Sequence, residues 1–238
     1  LFFVLFFLCS CSHTVDFRSS QFAVPYVKET AWGGSITGSA AQPTKVTFVQ
    51  DLGTNPPSRT GVEINKDVSL SSFILFDQIG TELDLTLSDW PVELYRAGDV
   101  IGLRWQFINH GSQKNVWVAS LQAASGDFTA TSSNNGGSGS SKVNVSQTGL
   151  SIGYKSEKVI TYFSYVQNKN EVSTTVENGS GSFGPYSDEG EHKIAALGIS
   201  TYAPGFLVGL EFNAVQADWN STVSEKQESW GFRLGYTW

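Results

Sequence analysis

His192 is the residue whose type and surroundings best fit catalysis. It follows the acidic residues Asp188, Glu189 and Glu191 and lies at the start of an alternating segment that ends near Ser200. A histidine within hydrogen-bond reach of a serine can act as a general base and activate that serine as a nucleophile. Serine is abundant in this chain, and no strict motif selects one of them. His192 is therefore a minority candidate for catalysis, and the simpler interpretation is a solvated loop histidine.

Other features of the sequence exclude several kinds of site. His13 and His110 are isolated, so neither shows the close spacing of His, Cys and acidic residues that a metal site needs. The sequence contains no phosphate-binding loop of the Gly-rich type. A net charge of −7 argues against nucleic acid as a partner. We therefore expect no metal, no cofactor and no nucleic acid.

A set of charged residues shares one face of several alternating segments. The set is Glu82, Asp84, Arg104, Glu211 and Arg233. If this face points into a closed barrel, the charges either form a structural ion network or line a narrow path for a solute, and both interpretations stay open. An unpaired buried cation is costly. We therefore expect Arg104 and Arg233 to point inward and to pair with carboxylates such as Glu82, Asp84 or Glu211.

The last nine residues of the sequence, 230–238, alternate strictly. Successive residues of a strand point to opposite faces, and here one face is wholly apolar: Trp230, Phe232, Leu234, Tyr236 and Trp238. The other face carries Gly231, Arg233, Gly235 and Thr237. This pattern resembles the closing strand of bacterial outer-membrane β-barrels, whose C-terminal aromatic residue belongs to the signal that the barrel-assembly machinery reads.

Similar alternation recurs along the chain and predicts the fold class. Segments such as 101–107 and 206–213 alternate apolar and polar residues, and such segments recur about every ten residues or more, separated by Gly, Ser, Asn, Asp and Pro. Before residue 82 the pattern is weaker, and residues 32–40, 45–52, 61–66 and 69–76 are the candidate strands there. Aromatic residues near the expected strand ends, among them Tyr162, Trp219 and Trp230, fit interfacial girdles. The resemblance implies an all-β, antiparallel, up-and-down transmembrane β-barrel of about 8–12 strands, with about 10–12 favoured, in the bacterial outer membrane.

Long polar segments alternate with tight turns along the predicted barrel. Residues 125–141, 167–191 and 218–225 are rich in Gly, Ser, Asn and Thr, whereas residues 154–158 and 202–205 fit tight turns. Outer-membrane barrels combine short periplasmic turns with long external loops. The long segments are therefore expected outside the cell, and the composition of 125–141 and 167–191 predicts mobile loops because these two segments have little apolar area to bury.

The N-terminal residues resemble a bacterial lipoprotein signal. Residues 1–8 are apolar, and the segment that follows, Leu8-Cys9-Ser10-Cys11, is similar to a lipobox with Cys11 as the lipidated residue. This apolar run is too short to span a membrane as a helix. The resemblance predicts a signal peptide over residues 1–10, a lipidated tether over 11–30 and the barrel domain over 31–238.

Three functions remain open at this stage. The first is a non-enzymatic barrel that acts structurally, as a narrow pore or as an anchor for an unknown protein partner. The second is an enzyme with a site at the barrel rim that acts on lipid or peptide, and the third is a soluble, secreted barrel that binds a ligand. Outer-membrane lipid and, during assembly, the barrel-assembly machinery are the partners that the resemblance implies. Fold alone does not decide between these functions.

Overall fold

The computed structural model describes most of the chain. The described residues are 10–26, 32–51, 58–65, 79–86, 90–112, 115–134, 137–178, 181–202, 204–220 and 222–238. The predicted signal peptide and the candidate strand at 69–76 lie outside these residues, apart from Ser10. None of the described residues forms a helix long and apolar enough to cross a membrane.

The described residues contain β-strands and no helix. In chain order these are β1 (Ser10–Phe17), β2 (Gly34–Ala41), β3 (Thr44–Asp51), β4 (Ser58–Asn65), β5 (Ile79–Thr86), β6 (Val92–Ala97), β7 (Val100–Ser112), β8 (Asn115–Asn134), β9 (Gly137–Ser156), β10 (Val159–Asn178), β11 (Gly181–Thr201), β12 (Gly205–Trp219) and β13 (Val223–Thr237).

Ten of these strands close into an antiparallel barrel, as the sequence predicts. Going around the barrel, β2 is followed by β5 and then by β6 to β13 in chain order. The barrel is closed by β13 and β2, with Tyr236 opposite Ile36 and Arg233 opposite Ser39. Apart from the excursion between β2 and β5, each barrel strand pairs with the next strand in the chain, which is the expected up-and-down arrangement.

The remaining strands form a separate three-stranded sheet in the order β1-β3-β4, called here the inner sheet. Its apolar residues, including Val15, Phe17 and Phe48, pack against the inward residues Val143 and Trp219 of the barrel wall. This arrangement differs from the predicted domains. Residues 10–17 lie in a sheet rather than in a tether, and the segments 45–52 and 61–66, expected as barrel strands, belong largely to the inner sheet.

The barrel has two distinct ends. At one end Trp238 exchanges backbone hydrogen bonds with Gly34, and strands β7, β9 and β11 end there as well. The hairpins β8–β9, β10–β11 and β12–β13 turn at the opposite end. The connections at both ends are short, but strands β8 to β11 extend well beyond a membrane-spanning length towards the second end. Outer-membrane barrels extend furthest on their external side, so we call the first end periplasmic and the second external.

The external hairpins correct the prediction of long loops. Strands β8, β9, β10 and β11 contain 20, 20, 20 and 21 residues, whereas a transmembrane strand needs only about 9–11. The described parts of segments 125–141 and 167–191 are therefore paired strands, with Phe128 opposite Val143 and Val172 opposite Asp188. These segments extend the barrel wall beyond the membrane, so the prediction of loops is wrong. The physical reason is that their backbone hydrogen bonds are made within the sheet despite their polar composition.

Candidate functional site

The barrel lumen is occupied by the chain's own residues 18–26, called here the strap. Every residue from Ser19 to Pro25 is buried, although the strap itself forms no strand. Ala23 packs in a cluster with Val166, Ile194 and Val215 of the wall. Barrels of about eight strands are filled by their own side chains. Here a peptide segment fills the interior of the ten-stranded barrel together with those side chains.

Glu211 is the main anchor of the strap. Its Oε1 atom accepts hydrogen bonds from the Ser20 hydroxyl at 2.8 Å and from the backbone N–H groups of Gln21 and Phe22 at 3.2 and 3.3 Å. Its Oε2 atom accepts a hydrogen bond from the Tyr162 hydroxyl at 2.8 Å. A buried carboxylate is costly unless its oxygen atoms are bonded. The strap and the wall therefore stabilise one another through this side chain.

A small residue on the wall gives the strap room beside Glu211. A Cβ atom at Gly231, in the register position opposite Glu211, would meet the side chain of Ser20. Phe22 has a φ of 41°, and its ring lies 5.1 Å from the guanidinium carbon of Arg233. The C-terminal strand thus combines an apolar outer face with an inner face shaped to the strap.

Glu82 interacts with one arginine of the strap and one arginine of the barrel wall. Arg18 Nη2 lies 3.0 Å from Glu82 Oε1 and donates to Ser39 Oγ at 2.7 Å. Arg233 Nη1 lies 3.8 Å from Glu82 Oε2, and Arg233 Nη2 donates to Ser200 Oγ at 2.9 Å. One buried carboxylate therefore lies between a wall cation and a strap cation.

A second ion cluster surrounds Arg104. Its Nη1 atom donates to Glu93 Oε2 at 2.6 Å and lies 4.0 Å from Asp84 Oδ1. The guanidinium carbon lies 5.0 Å from the centre of the Tyr95 ring. The Tyr95 hydroxyl donates to Gln147, whose amide nitrogen in turn donates to Gln21 of the strap. The charged wall and the strap thus form one connected polar network.

The periplasmic end of the strap meets an aromatic and cationic cluster. The Tyr26 ring lies 5.0 Å from the Tyr202 ring at an angle of 62°. Lys155 Nζ lies 4.2 Å from the centre of the Tyr26 ring and 4.8 Å from that of Tyr202. Above this cluster, Val24 packs with Val116, Val118, Ile160 and Tyr162. The strap is therefore held along its length, from Arg18 to Tyr26.

His192 lies in an aromatic cluster at the external end of the lumen. The Trp219 indole N–H donates to His192 Nε2 at 3.1 Å, and the Phe17 ring meets the imidazole edge-on at 4.8 Å. Burial lowers the pKa of His192 to about 4, and the charge of Asp218 opposes this shift. Within the described part of the chain, no serine or carboxylate oxygen is hydrogen-bonded to His192. Because the Nε2 lone pair already accepts the indole N–H, this nitrogen cannot take a substrate proton in this arrangement.

The outer wall beside His192 carries a half-buried charge cluster. Lys193 Nζ lies 2.9 Å from Glu191 Oε2 and 3.4 Å from Asp218 Oδ2. Its hydrogen bonds to Glu191 and Asp218 raise the pKa of Lys193, and the hydrogen bond from Lys193 lowers the pKa of Glu191. The Ser224 hydroxyl does the most to lower the pKa of Asp218.

The outward face changes character along the barrel axis. Towards the periplasmic end it is apolar and exposed, for example at Leu197 (63%), Phe206 (71%) and Trp230 (53%). Beyond the row Tyr165–Ala195–Ala214 the outward residues become polar. A continuous exposed apolar band around a closed barrel is the surface that lipid covers. The chain is a β-barrel of the bacterial outer membrane. We call the wall from that row to the periplasmic end the membrane half, and the rest the external half.

Comparisons with known proteins give distant likenesses only. The structure is similar to that of Ail, the attachment invasion locus protein of Yersinia pestis, with 12% identity, a TM-score of 0.37 and coverage of 88% of this chain and 100% of the other. It is also similar to the outer membrane protease OmpT from Escherichia coli, with 12% identity, a TM-score of 0.35 and coverage of 88% and 94%. No protein-family model and no curated protein matches the chain.

The structure brings the predicted charged residues into the lumen. Glu82, Arg104, Glu211 and Arg233 are buried there, and Asp84 is half-buried. Arg104 lies near Asp84 and Arg233 near Glu82, whereas Glu211 is bonded to the strap and to Tyr162. The aromatic face of the last strand is turned outward: Trp230, Phe232, Leu234, Tyr236 and Trp238. The placement of the Cys11 side chain lies outside the described features.

Two aromatic residues differ from their predicted girdle positions. Tyr162 and Trp219 are buried inside the barrel, 4% and 0% exposed, because their polar groups bond to Glu211 and His192. Neither Glu93 nor the strap was predicted from the sequence as part of a site. Glu93 shares its parity with Tyr95 and Ala97 in a short strand, and that alternation is the signal that could have found it. The strap has no periodicity and offers no such signal.

The described residues offer no metal site. Among them, no group of three or more His, Cys, Asp and Glu side chains could hold a metal ion. The acidic side chains of the lumen are instead bonded to arginines, hydroxyls and backbone N–H groups.

Proposed function

We propose that the protein is a closed, non-conducting barrel that anchors an external β-structure in the outer membrane. The observation that carries the proposal is the strap, which crosses the lumen and is bonded to Glu211 through a side chain and two backbone N–H groups. An open pore needs a continuous water path, and the strap occupies the centre of that path. The charged network therefore has a structural role, and the narrow-pore interpretation is not favoured.

The external half supports the anchoring role. Its wall continues the barrel strands outward, and its inner face packs against the inner sheet through Val143, Val172 and Trp219. The outer face of this half is polar and available to a partner. A rim-site enzyme is less well supported because His192 is enclosed by Phe17 and Trp219. The apolar outward band argues against a soluble, ligand-binding barrel.

Conductance measurements test the proposal. We expect the purified wild-type protein to give no unitary steps in planar lipid bilayers at neutral pH. Glu211→Ala removes the acceptor of the strap and should produce fluctuating openings. Glu228→Ala, an outward substitution on β13, is the matched control and should stay silent. Stable, long-lived channels formed by the wild-type protein would overturn the proposal.

A further inference from the structure

We infer that the N-terminal segment passes through the lumen of its own barrel and emerges on the cell surface. The inference goes beyond the closed barrel, because a plug can enter a lumen from either side. It rests on the order of the contacts that residues 13–26 make with the wall. Read along the chain, these contacts descend from the external end to the periplasmic end.

The uppermost contact is made by β1. His13 Nδ1 lies 2.6 Å from Ser132 Oγ, near the tip of the β8–β9 hairpin. A Cβ atom at Gly139, in the register position opposite Ser132, would lie 3.0 Å from His13 Nδ1. At about 3.3 Å per residue and a tilt near 45°, Ser132 lies roughly 25 Å beyond Leu121, which is at the edge of the membrane half. The start of β1 is therefore well outside the membrane.

The next contacts fall in sequence order. Phe17 packs on Trp219 and His192 at the base of the external half. Arg18 then reaches Glu82, and the segment from Ser20 to Phe22 is bonded to Glu211 in the membrane half.

The lowest contacts complete the descent. Pro25 lies beside Gly153, where an added Cβ would approach its ring to 2.8 Å. Tyr26 contacts Tyr202 and Lys155 at the periplasmic end. From Ser10 to Tyr26, the chain therefore runs from outside to inside, and it makes one more crossing of the membrane in addition to the barrel strands.

This path has a consequence for Cys11. Its backbone pairs with Gln50 in the inner sheet, two residues before His13. A lipid attached there would be separated from the periplasmic leaflet by the full length of the lumen. The surface position of β1 and a periplasmic lipid tether at Cys11 therefore exclude one another.

Labelling of intact cells with a membrane-impermeant maleimide tests the inference. The reporter is Thr14→Cys, because Thr14 is exposed in β1. Glu177→Cys near the tip of β10 is the external control, and Lys158→Cys in the turn after β9 is the periplasmic control. We expect Thr14→Cys and Glu177→Cys to be labelled in intact cells, and Lys158→Cys only after the outer membrane is permeabilised. Mass spectrometry assigns the labelled residue, because the chain has two native cysteines.

Two results would overturn the inference. One is labelling of Thr14→Cys only after permeabilisation, while Glu177→Cys is labelled in intact cells. The other is incorporation of labelled fatty acid at Cys11 in barrels that are folded in the outer membrane. Neither maleimide labelling nor fatty-acid incorporation depends on the conductance of the barrel. The inference about the N-terminal segment can therefore be wrong while the closed-barrel proposal stands.

Discussion

The membrane half and the external half of the barrel are built from the same strands with opposite polarity. In the membrane half the outward residues are apolar, and the lumen is lined by charged and amide side chains together with small apolar clusters that pack on the strap. In the external half the outward residues are Ser, Thr, Asn, Lys and Glu, and the inward residues include Val143, Val172 and Trp219. The inversion occurs along single strands, as in β9, where Ile152 faces out and Val143 faces in. Each half buries its apolar face against what surrounds it, lipid in one case and the inner sheet in the other.

The largest effect on stability is expected when a cation is removed from an ion pair in the membrane half rather than in the external half. Arg104→Gln leaves Glu93 buried without its cation, and breaking a buried pair costs about 3–5 kcal/mol. Lys193→Gln breaks half-buried ion pairs on the solvent-facing wall of the external half and should leave stability nearly unchanged. The measurement is urea-induced unfolding of the proteins refolded into lipid vesicles. Equal stability of the two variants would contradict a buried ion pair in the lumen of the membrane half.

The next-largest effect is expected when a charge is introduced on the outward face of the barrel. Leu210→Arg places a cation against lipid in the middle of the band and should cost roughly 2–4 kcal/mol. Gln216→Arg changes the same outward face of β12 in the external half and should have little effect. The folded fraction is read from the heat-dependent shift in gel mobility. Equal assembly of both variants would argue that no lipid surrounds Leu210.

A smaller effect is expected from a polar group on the inner face of the external half. Val172→Thr keeps the shape of the side chain but buries a hydroxyl in the apolar cluster, which costs about 1–3 kcal/mol when it is unpaired. Its neighbour Ser173 points the other way, so Ser173→Thr is the control. We expect faster proteolysis of the inner sheet in Val172→Thr alone. Unchanged proteolysis would show that the inner sheet does not depend on this contact.

The smallest effect near neutral pH is the pH dependence that His192 confers. Its pKa falls from 6.5 to about 4 in the folded protein, so the unfolded state binds the proton more readily. Stability is therefore full above pH 6.5 and is lost as the pH falls towards 4, with about 1 kcal/mol lost by pH 6. Hydrogen exchange of β1 should accelerate over this range in the wild type and much less in His192→Leu. A profile that is the same in both proteins would assign the effect to other groups.

The sequence predicted the membrane half well and the external half poorly, for a physical reason. Around Phe206–Phe212 the apolar and polar residues alternate with a single parity, and lipid imposes that pattern on the outward face. In β9 and β10 the parity inverts part-way, so the apolar residues Val143 and Val172 change sides and the polar residues between them suggest a loop. The strap could not be predicted from periodicity because its contacts come from many strands, and the partners of Glu211 are set by the three-dimensional path of the chain.

The central claim, that the strap lies in the lumen, is tested most directly by disulfide cross-linking in native membranes. Ala23 of the strap packs in a cluster with Val215, which points inward on β12. Ala214, the residue before it, points outward and provides the matched control. We expect Ala23→Cys combined with Val215→Cys to form a disulfide on mild oxidation, identified by mass spectrometry of the joined peptides, and Ala23→Cys combined with Ala214→Cys to form none. Absence of the first cross-link in folded barrels, or equal yields of both, would contradict a strap inside the barrel.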